Sequence, residues 1–391
     1  MASFICVRCL RPSGLPATSR RKLSSTAAQR KGVPSFSPSS SPQLDQIFQS
    51  FRDRIFIPDS LSPQHRHLVY RPKNKTVLTN ERGVTVALSD EEEVRLQPQD
   101  HSDRPNKREV FVEIPKLLAE ANDDSAWRNT LPFIQGLNHS KTNIPTLFPV
   151  HIIKAAAKAG KFRHIVRLFE QADKTGWGLH QHSLVWAFFR GCHDRAAEAG
   201  FKGEETDAVA RYVDLVARLL ERHDHRDALY HIRNSTEKAV DSRLSIIVIS
   251  VLLEMAAATA LNHHGAKDVD GKVANYFSKI LILTEKGIED GTSPFIWCQP
   301  GTKGQIAEYQ ERSTLRILQN ALEMAAQVEG VPASQQQEAL ESRVKAVAKR
   351  LDGLDNDLKK RFEERETKRR HSLHENLAQA RSDPAPEPPA R

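Results

Sequence analysis

Three basic side chains, those of His151, Lys154 and Lys158, follow one another at intervals of three and four residues. If the segment is helical, this spacing places all three on one face. Imidazole and ammonium groups on such a face can contact the phosphates or bases of a nucleic acid. Lys161 and Arg163 add two cations at the turn that follows. A solvated helix face has the same pattern, so a nucleic-acid interface and an ordinary polar surface both remain open.

Histidine and cysteine, which often hold metal ions or act as nucleophiles, occur without a diagnostic arrangement. The densest groups are His180 and His182 with Cys192 and His193, and His223 and His225 with His231. None has the paired C-x-x-C or the H-E-x-x-H spacing of a metal site, and the C-x-x-C of Cys6 and Cys9 has no second pair. The sequence also lacks a phosphate-binding glycine loop, a G-x-S-x-G motif and a helix with paired carboxylates. We predict no metal, no cofactor and no catalytic residue, and therefore a protein that is not an enzyme.

Aromatic side chains offer a second way to bind nucleic acid, because they can stack on bases. The candidates are Trp127, Trp177, Trp186, Trp297, Phe188 and Phe189. At helical spacing in a stack of helices such side chains more often belong to the core, and burial is the preferred interpretation.

Basic residues are concentrated at the N-terminus. The 391-residue chain has a formal charge of +8, but residues 1–44 contain seven Lys or Arg and no Asp or Glu. This composition is typical of a mitochondrial transit peptide, whereas Arg8 and Arg11 interrupt the apolar run that a secretory signal needs. We predict a transit peptide over 1–23 and a protein of the mitochondrial matrix; a plain basic tail is the alternative. Removing 1–23 takes away five bases and leaves +3, so net charge alone does not indicate nucleic-acid binding.

Composition and periodicity divide the remaining chain into five parts. A disordered Ser/Pro linker is expected over 24–43, and a small α+β region over 44–114, with a hairpin of strands at 76–79 and 84–88 and a further strand at 110–114. Helical periodicity then predicts an array of helical hairpins over 115–330, a long C-terminal helix over 334–381 and a disordered tail over 382–391. The fold class is therefore mainly α, an α-solenoid with a small N-terminal α+β lead-in.

The most apolar stretch, residues 244–261, has to be weighed as a membrane span. Its 18 residues lie near the lower limit for crossing a bilayer, and Glu254 lies within it. A carboxylate in hydrocarbon costs on the order of 2–3 kcal/mol, whereas a central helix of a soluble array avoids that cost. We expect no stable membrane span.

The C-terminal helix has an apolar seam close to a heptad repeat. Its members are Leu340, Val344, Val347, Leu351, Leu354 and Leu358. Such a seam requires another helix to cover it, and we predict a protein partner at this site.

One segment resembles a pentatricopeptide repeat. The residues that carry the likeness are the run IIKAAAKAGKF at 152–162, LFEQA at 168–172 and TGW at 175–177, and the best match covers 147–181. In that family two helices form each repeat, the first helix lines a groove for single-stranded RNA, and most members act on organellar RNA. The resemblance implies that His151, Lys154, Lys158, Lys161, Arg163 and Gln181 contact RNA. His151 and Gln181 depart from the residue types usual at their positions, which argues against base-specific recognition.

Two functions of different classes follow. The first is a non-enzymatic mitochondrial gene-expression factor that binds RNA or the mitochondrial ribosome through the helical array. The alternative is a protein-only scaffold, such as an assembly factor for a respiratory-chain complex.

Overall fold

The computed structural model describes residues 33–80, 83–88, 92–121, 123–222, 225, 241–285, 287–289 and 305–382. The chain divides into two compact units, a first unit of Met1–Val33 with Ser60–Gln99 and a second unit of Pro34–Asp59 with Asp100–Arg391. The predicted transit peptide at 1–23, the tail after residue 382, and the candidates His223, His231 and Trp297 lie outside the described residues.

The N-terminal elements are α1 (Pro42–Phe51), a π-helical turn (Arg52–Phe56), α2 (Ile57–Ser60), α3 (Pro63–Tyr70), α4 (Lys75–Thr79), β1 (Thr85–Ala87), β2 (Glu93–Arg95), α5 (Lys107–Glu120), α6 (Asp124–Arg128) and α7 (Thr130–His139). They are followed by α8 (Phe148–Ala159), α9 (Phe162–Glu170), α10 (Ala172–Thr175), α11 (His182–Glu198), α12 (Gly203–Leu220), α13 (Ile246–His263), α14 (Lys272–Leu283), α15 (Gln305–Ala325) and α16 (Gln337–Ser382). Single 3-10 turns occur at Pro72–Asn74, His101–Asp103, Ser242–Leu244 and Ser334–Gln336.

The first unit contains α3, α4 and a two-stranded antiparallel sheet in which Val86 of β1 lies opposite Val94 of β2. The predicted hairpin between 76–79 and 84–88 is therefore wrong in its first strand. Residues 76–79 belong to α4, whose Leu78 is fully buried, and β1 pairs with the following segment instead. The β-branched residues of 76–79 favour a strand only weakly, and burial of Leu78 in a helical turn outweighs that preference.

In the second unit the helices come in successive pairs. The first members of these pairs are α8, α11, α13 and α15, which contact one another in chain order, and α5 contacts α8 at the start of the series. The second members are α9, α12, α14 and α16. The turn between α8 and α9 is made by Gly160, whose φ of +67° is the left-handed conformation that ends many helices at glycine. Each pair thereby buries its apolar face against the next, and the prediction of a mainly α, solenoid-like fold is confirmed.

Two expectations for the N-terminal part of the second unit are corrected. The predicted strand at 110–114 and the boundary at 114/115 both lie inside α5, whose buried side chains are Phe111, Ile114, Pro115 and Leu118. The helical spacing of these buried side chains favours a helix more strongly than the β-branched residues between them favour a strand. Pro115 removes only one hydrogen bond of the helix.

The predicted disordered linker over 24–43 is also ordered in its described part. Phe36 stacks on Phe48 with ring centroids 5.2 Å apart. The backbone of Ser37 exchanges two hydrogen bonds with the Asn129 side chain: Ser37 N donates to Oδ1 at 3.0 Å, and Nδ2 donates to Ser37 O at 2.6 Å. One aromatic anchor and one buried amide therefore hold a segment whose overall composition predicts disorder.

Helix α13 is the central helix of the second unit. Among the described residues it is the one helix long and apolar enough to cross a membrane, and 72% of it is buried inside the structure. It packs against α11, α12, α14 and α15. Because protein surrounds the helix, its uniform hydrophobicity is accounted for by core packing.

The apolar seam of α16 is covered by the chain itself. Leu340, Val347, Leu351 and Leu354 are buried in a cluster to which α13, α14 and α15 also contribute, while Val344 packs partly against the cluster. Asp355 of α16 accepts hydrogen bonds from Arg312 and Arg316 of α15. Over 340–354 the helices that cover the seam belong to the same chain, so the expectation of an external partner at these residues is wrong. Leu358, one turn further along α16, is half-buried.

The aromatic candidates that the structure describes are buried. Trp127, Trp177, Trp186, Phe188 and Phe189 are each at most 5% exposed. The preferred interpretation of these residues as core is therefore confirmed.

Candidate nucleic-acid interface

Helix α8 separates an apolar face from a basic one. Ile152, Ile153 and Ala156 are fully buried, while His151, Lys154 and Lys158 are exposed. The three basic residues are one helical turn apart, as their spacing predicts. Arg163, at the start of α9, is also exposed.

The exposed cations of this face have no acidic partner in the part of the chain that the structure describes. No carboxylate among the described residues pairs with Lys154, Lys158 or Arg163. Partial burial, reinforced by the Lys154 ammonium, lowers the pKa of His151. At neutral pH this face therefore presents lysine charges together with a neutral imidazole that can donate or accept a hydrogen bond.

Lys161 and Gln181, two other predicted RNA contacts, are engaged inside the protein. Lys161 Nζ lies 2.7 Å from Oδ1 of Asp124 at the start of α6, and this contact lowers the pKa of the Asp124 carboxyl. Gln181 Nε2 donates to the carbonyl oxygen of Gly176 at 2.7 Å. Both side chains fix turns between helices, so the structure brings together His151, Lys154 and Lys158 and assigns Lys161 and Gln181 to the scaffold.

The lysines of α8 border a groove that the sequence does not reveal. The groove is lined by Lys154 and Lys158 of α8, by residues of α11 between 186 and 198, and by Tyr309 of α15. Its volume is about 280 Å³. Lining cations outnumber lining carboxylates, four against two, and each carboxylate is paired with an arginine: Asp194 with Arg190, and Glu198 with Arg195.

Arg190 is held at the centre of this groove by several contacts. Its Nε donates to both oxygens of Asp194, at 3.1 and 3.0 Å, and its Nη1 donates to Ser313 Oγ. The guanidinium carbon lies 5.7 Å from the ring centroid of Trp186 and 5.3 Å from that of Tyr309, within the range of cation–π attraction. The arginine is thus held beside two aromatic rings that also contact each other.

The two aromatic residues differ in exposure. Trp186 is 5% exposed and its Nε1 donates to Thr314 Oγ1 at 3.4 Å, whereas Tyr309 is 46% exposed. Trp186 and Arg190 are four residues apart on α11, a spacing that the sequence displays. Tyr309 comes from a helix far away in the chain, so only the fold identifies it as part of the same site.

The histidine and cysteine groups of the sequence do not assemble into a metal centre in the part of the chain that the structure describes. Cys192 is buried in the core, His193 faces Glu254, and His182 Nδ1 lies 3.4 Å from Ser242 Oγ. His225 Nδ1 accepts a hydrogen bond from Leu179 N at 3.2 Å.

Comparison with known proteins gives two matches. The family model described as mitochondrial ribosomal protein mS27 matches residues 21–378. The small ribosomal subunit protein mS27 of Neurospora crassa is 25% identical over 223 residues, which cover 54% of this chain and 54% of that protein. The alignment thus spans about half the length of this relative, while the family model extends over nearly the whole chain.

Proposed function

The chain belongs to the mitochondrial ribosomal protein mS27 family, and on that premise we propose that it acts in mitochondrial translation as a protein of the small ribosomal subunit. The family match carries this proposal, because it extends into every helix pair of the second unit. Membership in a family of ribosomal proteins also confirms the expectation that the chain is not an enzyme.

We propose further that the chain contacts RNA through the exposed basic face of α8. The support is physical: Lys154 and Lys158 project from one face, and no carboxylate among the described residues neutralises them. Two lysines that lie one helical turn apart, without a carboxylate partner among the described residues, complement the negative charge of an RNA backbone. The pentatricopeptide-like pair of α8 and α9 is the element that would present this face, as part of the 115–330 array.

The C-terminal helix remains our candidate for a protein contact, but only after the buried seam ends. From Lys359 to Lys368 the described side chains are mostly exposed and carry both signs of charge. Mixed charges of this kind suit a polar contact with a neighbouring protein more than an apolar dock.

The matrix is the compartment that we propose, with 1–23 as the transit peptide. The family is mitochondrial, and the acid-free N-terminus is the feature that an import signal requires. The alternative, an assembly factor for a respiratory-chain complex, gains no support from the family match.

Sedimentation of the tagged chain from mitochondrial lysate tests the proposal. We expect it to migrate with the small ribosomal subunit and to leave that fraction after RNase treatment. Migration with a respiratory subcomplex, or as a free protein in untreated lysate, would overturn the ribosomal assignment. A variant with His151, Lys154 and Lys158 replaced by Ala tests the RNA contact: unchanged crosslinking to RNA would exclude the α8 face. Replacement of exposed Lys345 by Ala on α16 is the matched control.

A further inference from the structure

We propose that a groove lined by α12, α13 and α14 binds an amphipathic helix of a neighbouring protein in the small ribosomal subunit, with the acidic first turn of that helix at Arg218 and Lys279. The inference rests on the proposed ribosomal role, because that role supplies the neighbouring protein. It adds a docking surface between two second members of the helix pairs, distinct from the contacts proposed for α8 and α16.

The groove, called the α12/α14 groove below, arises where the second helices do not pack on one another directly. Helix α9 packs against α12 and α14 packs against α16, whereas α12 and α14 are joined through α13 and by an ion pair at 3.4 Å between Lys272 and Asp214. Two openings of about 350 and 310 Å³ share Asp214, Leu252 and Lys272, so they form one continuous groove. Along α12 it extends from Asp207 to Glu221, which corresponds to about 21 Å of helix.

The deep part of the α12/α14 groove is aliphatic. The side chains of α13 that line it are each at most 7% exposed, and they include Val248, Ile249, Leu252 and Met255. Ala210 and Ala217 of α12 also line the groove and are half-buried. An amphipathic helix binds a surface of this kind by inserting apolar side chains from successive turns of one face.

Two cations at one end of the groove have no acidic partner in the described part of the chain. Arg218 and Lys279 are exposed, and no described carboxylate pairs with either. Arg243, at the same end, is instead held by Asp241 and Glu221. Unpaired cations at the edge of an apolar groove complement acidic side chains on a partner and determine its orientation.

The ends of α12 and α14 determine the direction of the bound helix. Arg218 lies in the last turn of α12, and Lys279 lies one turn before the end of α14. A helix with its N-terminus here runs antiparallel to both, so its positive dipole end meets their negative ends, and acidic residues in its first turn also stabilise it. Asp207 and Asp270 line the other end beside Arg211, which suits basic side chains in the last turn.

The carboxylates of the groove favour a protein over a nucleic acid as the partner. Four of them line it, and they are Asp207, Asp214, Glu221 and Asp270. They are distributed along the whole groove and would repel the phosphates of an RNA strand, which carries a negative charge at every nucleotide. A protein helix can place side chains of both signs opposite the charges of the groove.

Binding of a synthetic peptide of about fifteen residues to the purified full-length chain tests the inference. The peptide has Asp and Glu in its first turn, leucines spaced three and four residues apart, and Lys in its last turn. A comparison peptide has the two charged ends exchanged. Fluorescence anisotropy should show saturable binding of the first peptide and about tenfold weaker binding of the second, because only the first places acids at Arg218 and Lys279.

Two double variants test the two parts of the groove. Arg218→Glu with Lys279→Glu should weaken binding of the first peptide about tenfold, with Lys345→Glu on α16 as the control without effect. Ala210→Gln with Ala217→Gln fills the groove and should abolish binding of both peptides, with Ala274→Gln at an exposed position of α14 as the control. All the replaced side chains are exposed or half-buried, and circular dichroism verifies folding.

Photocrosslinking in mitochondria identifies the partner. A tagged chain carries p-benzoylphenylalanine in place of Leu215, which is 41% exposed and one helical turn from Arg218. In the small-subunit fraction we expect a crosslink to a helix of another protein with acidic residues in its first turn. A crosslink to RNA, to a second copy of this chain, to a segment of the chain itself, or to a helix without those acids would overturn the inference. So would an absent crosslink, equal binding of the two peptides by the wild type, or unchanged binding by either double variant.

These outcomes are separate from those of the proposed function. If the wild type migrates with the small subunit but the double variants bind the peptide normally, the docking site is wrong and the ribosomal role stands. If the wild type does not migrate with the small subunit, the ribosomal role fails whatever the peptides show.

Discussion

His193 Nδ1 lies 2.9 Å from Oε2 of Glu254, and this pair connects α11 to the middle of the most apolar helix of the chain. The carboxylate is fully buried and also accepts a hydrogen bond from Asn320 of α15 at 2.7 Å. The first members of three consecutive helix pairs therefore meet at one polar group. Satisfied polar groups of this kind fix which faces of helices meet, because any other register leaves the carboxylate without partners.

Replacement of Glu254 tests this polar contact by its pH dependence. Burial raises the pKa of Glu254 above its ordinary value near 4.5. Since the folded state then holds its proton to higher pH than the unfolded state, the wild type should lose stability relative to Glu254→Gln as pH rises above about 4.5. Urea unfolding of both proteins between acid and neutral pH measures the difference. A Glu254→Gln variant that is progressively less stable than wild type towards neutral pH would contradict the expected sign.

Truncation of the same side chain has a different result. Glu254→Ala leaves His193 and Asn320 without their acceptor and opens a cavity, so the free energy of unfolding should fall by about 3 kcal/mol. The same urea measurement at neutral pH checks it. Equal free energies of unfolding for Glu254→Ala and Glu254→Gln would show that the hydrogen bonds contribute nothing.

The close approach of α8 and α11 depends on Gly191. A Cβ atom at this position would lie 2.7 Å from the Cβ of Ala157, so Gly191→Ala should force the helices apart and lower the free energy of unfolding by about 1–3 kcal/mol. Gly353→Ala on α16 is the matched control, because nothing lies within 4 Å and alanine favours the helix by up to about 1 kcal/mol. Thermal unfolding should move in opposite directions for the two variants.

Lys161 and Lys158 are neighbours in sequence with different roles. Lys161→Ala removes the ion pair with Asp124 and should lower the free energy of unfolding by up to about 1 kcal/mol while leaving RNA binding intact. Lys158→Ala should weaken RNA binding and leave the free energy of unfolding unchanged. Measurement of urea unfolding and of oligonucleotide affinity for each variant checks both expectations. Weaker RNA binding by a folded Lys161→Ala protein would show that Lys161 does contact RNA.

His182 should make the protein acid-sensitive. Burial, followed by the neighbouring His180, lowers the pKa of His182 to about 4. The unfolded state binds a proton already near pH 6.5, so stability should be lost as pH falls from about 6.5 to 4. His182→Asn is expected to flatten the stability profile in that window, and the same change at exposed His139 controls for loss of an imidazole. Equal slopes for wild type and His182→Asn would refute the assignment.

The helices of the array could be predicted from sequence because their periodicity is a property of local spacing. Residues 148–159 form α8, with Gly160 at its end, inside the predicted helical array over 115–330. Lys161 shows the limit of this reasoning: its partner Asp124 lies in another helix, and an exposed lysine and a paired one look alike in a sequence. Tyr309 shows the same limit for the groove, since only the stacking of α15 beside α11 places it near Arg190.

Local propensity failed where a few contacts outweighed composition. Phe36 and Asn129 order a Ser/Pro segment, and Leu78 draws a β-branched stretch into a helix. Such contacts depend on residues far apart in the chain, and spacing carries no information about them.

The burial of the α16 seam determines where the stack of helix pairs stops. A repeat array grows as long as its last layer exposes an apolar face, and it requires a terminal helix with a polar outer side to remain soluble. Val347, Leu351 and Leu354 close the last layer from within the same chain. The other faces of α16 are highly charged, so the array carries its own cap, and this cap limits polymerisation through end-to-end stacking.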